Sequence, residues 1–216
     1  REDDEANETN RAAQRKVAKA LLTMCTNKHM AVHFINKGGL EAIFKMINES
    51  NDKDVLTTCA ACLSCASEDP ATCTTLINKN ALPVINTLVE NGNEAAHLHA
   101  AVVLYNLCKE DGLEFLLFNK GIMLALTTLL TNTEDTSIVA YALCSLSNIG
   151  HVFNPGPDME AAVRMLNQVV KRLDVLHNVH AATFVSQVFD NFCKIISYSS
   201  LLVEEVSSLI GRLPST

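Results

Sequence analysis

The sequence has no Trp, only 3 Tyr, and few residues that punctuate a chain, with 5 Pro and 8 Gly among 216. That scarcity, with Ala, Leu, Val, Thr and Asn abundant, favours packed helices over strands. No apolar run reaches the roughly 18 residues that a membrane span needs, so direct membrane binding by this segment is not expected. The given residues show no secretory signal. The chain opens with Arg1, which leads to the expectation of a fragment or trimmed form whose parent could carry an anchor or further domains.

Positive charge is scarce too. Lys and Arg number 17 against 24 Asp and Glu, a formal net charge of −7. Phosphate binding needs a basic footprint, so nucleic acid is not an expected partner. More than half of the negative excess sits in the first ten residues, where Arg1 faces Glu2, Asp3, Asp4, Glu5 and Glu8. Residues 1–8 are therefore expected to be an acidic, disordered or frayed approach to a single domain over 9–216. Catalytic signatures are missing as well. There is no phosphate loop, nucleophile elbow or paired-carboxylate arrangement, so neither an enzyme nor a cofactor is expected.

What is present is apolar content, 48 % of the chain, enough for a substantial core. Eight cysteines fall almost entirely within apolar helical patterns, where free Cys acts as a small hydrophobe. This points to a reducing, cytoplasmic compartment, with recruitment to membrane or cytoskeleton through a missing segment or a partner left open.

The chain also repeats itself. Ile35-Asn36-Lys37-Gly38-Gly39-Leu40, Ile77-Asn78-Lys79-Asn80-Ala81-Leu82 and Phe118-Asn119-Lys120-Gly121-Ile122-Met123 align at separations of 42 and 41. An independent register, Leu21, Leu63, Leu104, Leu146 and Phe189, steps by 42, 41, 42 and 43. Val17, Ala20, Leu21 and Met24 have the spacing of one apolar helical face. A short helix over Ala31 to Asn36 breaks at Gly38-Gly39, and another runs from Leu40 to about Ile47. Asp69-Pro70 reads as an N-cap followed by Pro at the first helical position. Each unit is thus a short helix, a second helix, a turn and a long third helix. The third helices are expected near 9–25, 54–67, 94–109, 136–150 and 178–193, with a terminal cap at 200–213.

The glycine break before the second helix and a Leu-x-Asn-Leu signature late in the third make this pattern similar to the armadillo repeat family. The signature reads Leu104-Tyr105-Asn106-Leu107, Leu146-Ser147-Asn148-Ile149 and, with aromatics, Phe189-Asp190-Asn191-Phe192; the first two units depart from it at Thr23 and Cys65. HEAT repeats have similar length but match less well. The resemblance implies an all-α, right-handed α-solenoid of about five repeats, whose third helices line a concave groove.

On that reading three columns face the groove: Thr23, Cys65, Asn106, Asn148, Asn191; Lys19, Ala61, Val102, Cys144, Gln187; and Lys16, Thr58, His99, Tyr141, Phe184. Asn carries both a donor and an acceptor, suited to the N–H and C=O of an extended peptide, or else to tying down its own repeat's loops. Positive charge comes only from Lys16 and Lys19, and the rest is mildly apolar. The expected function is a protein-interaction scaffold or adaptor whose partner offers apolar or aromatic anchors, as a peptide or an amphipathic helix. The alternative is a self-assembling or intramolecular packing module of a cytoskeletal, ciliary, chaperone or membrane-tethered protein. Self-association falls under this second reading.

Two constellations invite a metal and are read as packing or surface. Cys59-x-x-Cys62-x-x-Cys65 has iron–sulfur spacing, yet i, i+3 and i+6 drift around a helix. His29 and His33 form an i, i+4 pair without the Glu of a zinc protease. His97 and His99 point to different faces, and His177 and His180 have no carboxylate motif beside them. The Asn154-Pro155-Gly156-Pro157 segment, within an irregular stretch over 150–158, fits either a functional loop or a spacer between repeats.

Overall fold

In the computed structural model, residues 2–119 and 121–152 are described, and every regular element among them is helical. In order these are α1 (Glu2–Cys25), α2 (Lys28–Asn36), α3 (Gly39–Glu49), α4 (Lys53–Ala66), α5 (Pro70–Asn78), α6 (Ala81–Asn91), α7 (Glu94–Cys108), α8 (Glu114–Asn119), α9 (Ile122–Asn132) and α10 (Thr136–Ile149), then a 3₁₀ turn at Gly150–Val152. The period of the sequence is the period of the structure: short helix, second helix, long helix, three times over, with α1 standing as a long helix before them.

The local chemistry repeats with the same spacing. Gly38, Asn80 and Gly121, 42 and 41 apart, all hold positive φ (91°, 58° and 86°) at the N-termini of α3, α6 and α9. Gly enters that region freely and Asn is among the few side-chain-bearing residues that tolerate it, so the chain can reverse between its first two helices. The long helices start at Asp52, Asn93 and Asp135, whose side chains accept from backbone N–H groups of the first turn: Asp54 and Val55, Ala96, and Ser137 and Ile138. Such caps satisfy donors the helix cannot satisfy itself. Asp69 caps α5 in the same way, with Pro70 behind it.

The chain divides into two compact units, Arg1–Glu110 and Asp111–Thr216. A stack of repeats has no single centre, and contacts stay between neighbours. In the first unit α1 packs on α4 and α4 on α7. Ala18, Ala60 and Ala101 hold one register position on the three helices and are fully buried, small enough for close approach of the backbones. Ile43, Ile85 and Leu126, again one register position, are also fully buried.

The first element differs from expectation. Where a disordered or frayed approach was expected over residues 1–8, α1 runs from Glu2. A run of acidic residues at a helix N-terminus is favoured by the helix dipole, so this stretch has a physical reason to be ordered that net charge alone conceals. The fifth long helix expected near 178–193, the cap at 200–213 and the Asn154–Pro157 loop lie outside the described residues.

Candidate functional site

Each long helix has a buried side and a half-open side. On α4 the half-open residues include Thr58 and Cys65, while Ala61 between them is buried at 8 % exposure. On α7, His99 and Val102 are half-buried. On α1, Lys16, Lys19 and Thr23 are exposed, and on α10, Tyr141, Cys144 and Asn148 are half-buried. The columns drawn from the sequence thus occupy sides that are more open than the fully buried core positions Leu63, Leu104 and Leu146 beside them. Asn191, Phe184 and Gln187 lie outside the described residues.

Asn106 stands apart in its column. It is only 5 % exposed, and both ends of its amide are engaged. The amide nitrogen donates to Ser67 Oγ at 2.9 Å, and the amide oxygen accepts from Lys109 Nζ at 3.1 Å. Ser67 in turn donates to the Ser64 carbonyl at 2.8 Å. Here the side chain joins the end of α4 to the end of α7, the loop-tying role that was the alternative to gripping a peptide. To grip one, it would have to exchange these bonds. Ser67 and Lys109 were not picked out from the sequence as its partners. Lys109 is legible as the i+3 neighbour on the same helix, and Ser67 shares the register of Cys25 and Cys108. The Lys109 ammonium also stands 5.8 Å above the Tyr105 ring, a cation–π contact at the same helix end.

At the opposite end of the long helices lies a polar cleft of about 390 Å³, lined by Arg15, Lys19, Asp54, Thr57, Thr58 and Asn93. Arg15 Nε donates to Asp52 Oδ2 at 2.8 Å and lies 3.5 Å from Asp54. One repeat on, Thr57 donates to Asn93 Oδ1 at 2.8 Å. These are one contact in two chemistries, a side chain on one long helix reaching the N-cap of the next. The hydrogen bond with Asp52 raises the Arg15 pKa. Burial pushes the Asp52 carboxyl up, but Arg15 and the N–H groups of Asp54 and Val55 outweigh it and hold the group below its usual range. Lys16 and Lys19 form no ion pair among the described residues.

Two of the three cysteines of α4 serve the core. Cys59 and Cys62 are fully buried. Burial pushes the Cys59 and Cys73 thiols up to about 12, and Cys144 to about 11. Cys62 is raised by its hydrogen bond to Cys25 and by burial. Protonated thiols are poor nucleophiles and poor metal ligands. His29 and His33 are exposed on α2, and among the described residues no three His, Cys, Asp or Glu side chains gather to hold a metal. No helix among them is long and apolar enough to cross a membrane.

No protein-family model and no curated protein matches the sequence. Solved structures do match the fold. One designed armadillo repeat protein aligns with a TM-score of 0.67 at 14 % identity, covering 90 % of this chain and 81 % of its own. A second, in complex with the peptide (KR)4, aligns at 0.60 and 14 % identity over 92 % of each chain. A computationally designed armadillo repeat protein for modular peptide recognition aligns at 0.65 and 14 % identity, covering 95 % and 94 %. At such identity the likeness speaks for fold alone, and by fold the described residues are all-α, armadillo-like repeats.

Proposed function

We propose that the chain is a protein-binding scaffold that receives a partner segment along the half-open sides of its long helices. The observation that carries this reading is the set of half-buried, mostly uncharged side chains in the first unit, Thr58 and Cys65 on α4 with His99 and Val102 on α7; Tyr141, Cys144 and Asn148 hold the same register positions on α10 of the second unit. Partly desolvated apolar and aromatic groups beside amides suit a partner with apolar or aromatic anchors and a hydrogen-bonding backbone. The solved likenesses add support of a general kind, since one of them is in complex with a peptide. Asn106 enters as a positioning residue that fixes the end of α7, and Asn148 as an amide open to a partner. Gln187, Phe184 and Asn191 would extend the same columns. Lys16 and Lys19 would meet an acidic residue at the partner's end.

The test is selection of binders to the 216-residue chain from a random peptide library displayed on phage, followed by titration of the winners against Val102→Asp. A charge in a half-buried apolar contact is expected to weaken binding at least about tenfold while circular dichroism stays unchanged. Peptides that bind the variant and the parent equally would overturn the assignment.

A further inference from the structure

Cys25 at the end of α1 and Cys59, Cys62 and Cys65 along α4 belong to two helices that pack against each other. One repeat on, where α4 packs against α7, the same register positions hold Ser67, Ala100, Val103 and Asn106. There the helix ends are joined by the hydrogen bond from the Asn106 amide to the Ser67 hydroxyl. Between α1 and α4 the contact is made by sulfur. The Cys62 thiol hydrogen-bonds the Cys25 sulfur, so the two side chains meet across the helix interface. Cys25 and Cys62 are buried and Cys65 is half-buried. All are free thiols.

Geometry selects one pair from the four. Residues three apart on one helix, as Cys59 and Cys62 or Cys62 and Cys65 are, have Cβ atoms about 5–6 Å apart. A disulfide needs about 3.5–4.5 Å, so closing either of these would break α4. Cys25 and Cys62 stand on different helices, and Cys25 is the last residue of α1. A helix end can shift to close a bond while the middle of α4 stays in place. The neighbouring Thr26 and Asn27 are exposed, which leaves a small oxidant a short way to Cys25. The chemistry of the two thiols is unequal in the sense a redox pair requires. The hydrogen bond from Cys62 lowers the Cys25 pKa, against the opposing effect of burial, so Cys25 is the better source of a thiolate. Cys62, raised by the same bond and by burial, keeps its proton and waits beside it as the resolving thiol.

We propose that Cys25 and Cys62 are a redox-responsive pair that hydrogen peroxide closes into a disulfide, fastening α1 to α4. The Cys25 thiolate attacks one peroxide oxygen, the O–O bond breaks, and hydroxide leaves, giving a sulfenic acid at Cys25. The Cys62 sulfur then attacks the Cys25 sulfur. The S–O bond breaks, and the oxygen leaves as water with the Cys62 proton. In sum two thiols lose two hydrogen atoms and one peroxide becomes two waters. The bond would fix the helix that carries Lys16, Lys19 and Thr23, and its test needs no partner, so it stands or falls apart from the binding reading.

The test treats the folded 216-residue chain with hydrogen peroxide, blocks the remaining thiols, and maps the unreduced digest by mass spectrometry. The expected product joins the Cys25 and Cys62 peptides and is lighter than their sum by two hydrogen atoms. Thermal melting should rise by at least about 5 °C on oxidation and fall back with dithiothreitol. Cys62→Ala should lose both the cross-link and the rise, and Cys65→Ala should keep both. Because the map is read on the parent chain, it decides the question even if Cys62→Ala folds poorly. Recovery of Cys25 and Cys62 as free thiols or as sulfonic acids overturns the proposal. So does a Cys25 cross-link to any other cysteine, or one that forms only after urea has opened the chain.

Discussion

Val17 of α1 and Cys59 of α4 occupy one register position on two successive long helices, yet one is half open and the other fully enclosed. The difference lies in the neighbour. Cys59 has α1 against it, and Val17 faces outward. A repeat pattern states which side of a helix is apolar, but only the stack decides whether that side is covered. The sharpest way to break this comparison is the same substitution at both sites. Cys59→Asp places an unpaired carboxylate in a closed core and is expected to cost more than about 4 kcal/mol, enough to unfold the unit. Val17→Asp, at a half-open position, should stay within about 0.5 kcal/mol. Urea unfolding of both variants measures the gap, and equal losses would mean that α1 does not present this face outward.

A second contrast lies within one helix. Leu104 and Val102 are two residues apart on α7, the first fully buried and the second half-buried. Leu104→Ala should cost about 2–5 kcal/mol through lost burial and the cavity left behind. Val102→Ala should cost under about 1 kcal/mol. If thermal melting ranks them the other way, the half-open side of α7 has been misassigned.

How much of this could be read beforehand follows from which signals are periodic. The spacing of Leu21, Leu63, Leu104 and Leu146 and the glycine break carry the helical repeat directly, because burial recurs with the repeat. The left-handed Asn80 is legible too, standing where Gly38 and Gly121 stand. Hydrogen-bond partners are different. Asn106 looks like a ligand-facing amide by its place in a column, but whether an amide is free depends on Ser67, 39 residues away, and on the reach of Lys109. Residues 2–8 read as a disordered or frayed approach because an acidic run suits a solvated tail, whereas at a helix start the same run is favoured by the dipole.

The Asn106 contact gives the next prediction in size. Asn106→Ala leaves Ser67 Oγ without its donor and the Lys109 ammonium without its acceptor, at an expected cost of about 1–3 kcal/mol. Ser67→Ala removes the same bond from the other side. A double-mutant cycle should show the pair to be non-additive, since the second change removes a bond already lost. Additive costs would mean that the bond contributes little and that the amide is free to serve a partner.

The smallest effect comes from the register position held by Gln14 in α1, Leu56 in α4 and His97 in α7. His97 donates one ring N–H to the Val89 carbonyl, and its Nε2 is buried with no partner. Burial lowers its pKa below the usual 6.5, and Lys53 nearby acts in the same direction, against smaller opposing effects of the Val89 carbonyl and Glu94. The fold therefore holds the neutral imidazole, while the unfolded chain takes up a proton near 6.5. Below that pH the unfolded state binds more protons than the folded one, so stability present at pH 7 is lost as the pH falls through the folded value. His97→Leu should remove this part of the slope between pH 7 and about pH 5, and it also installs the residue that α4 uses at the equivalent site. Denaturation across that range separates the outcomes, because His99, also lowered by burial, keeps its own share of the slope in the variant. A variant whose slope matches the parent's would show that His97 is as readily protonated folded as unfolded, and that its Nε2 is open to water.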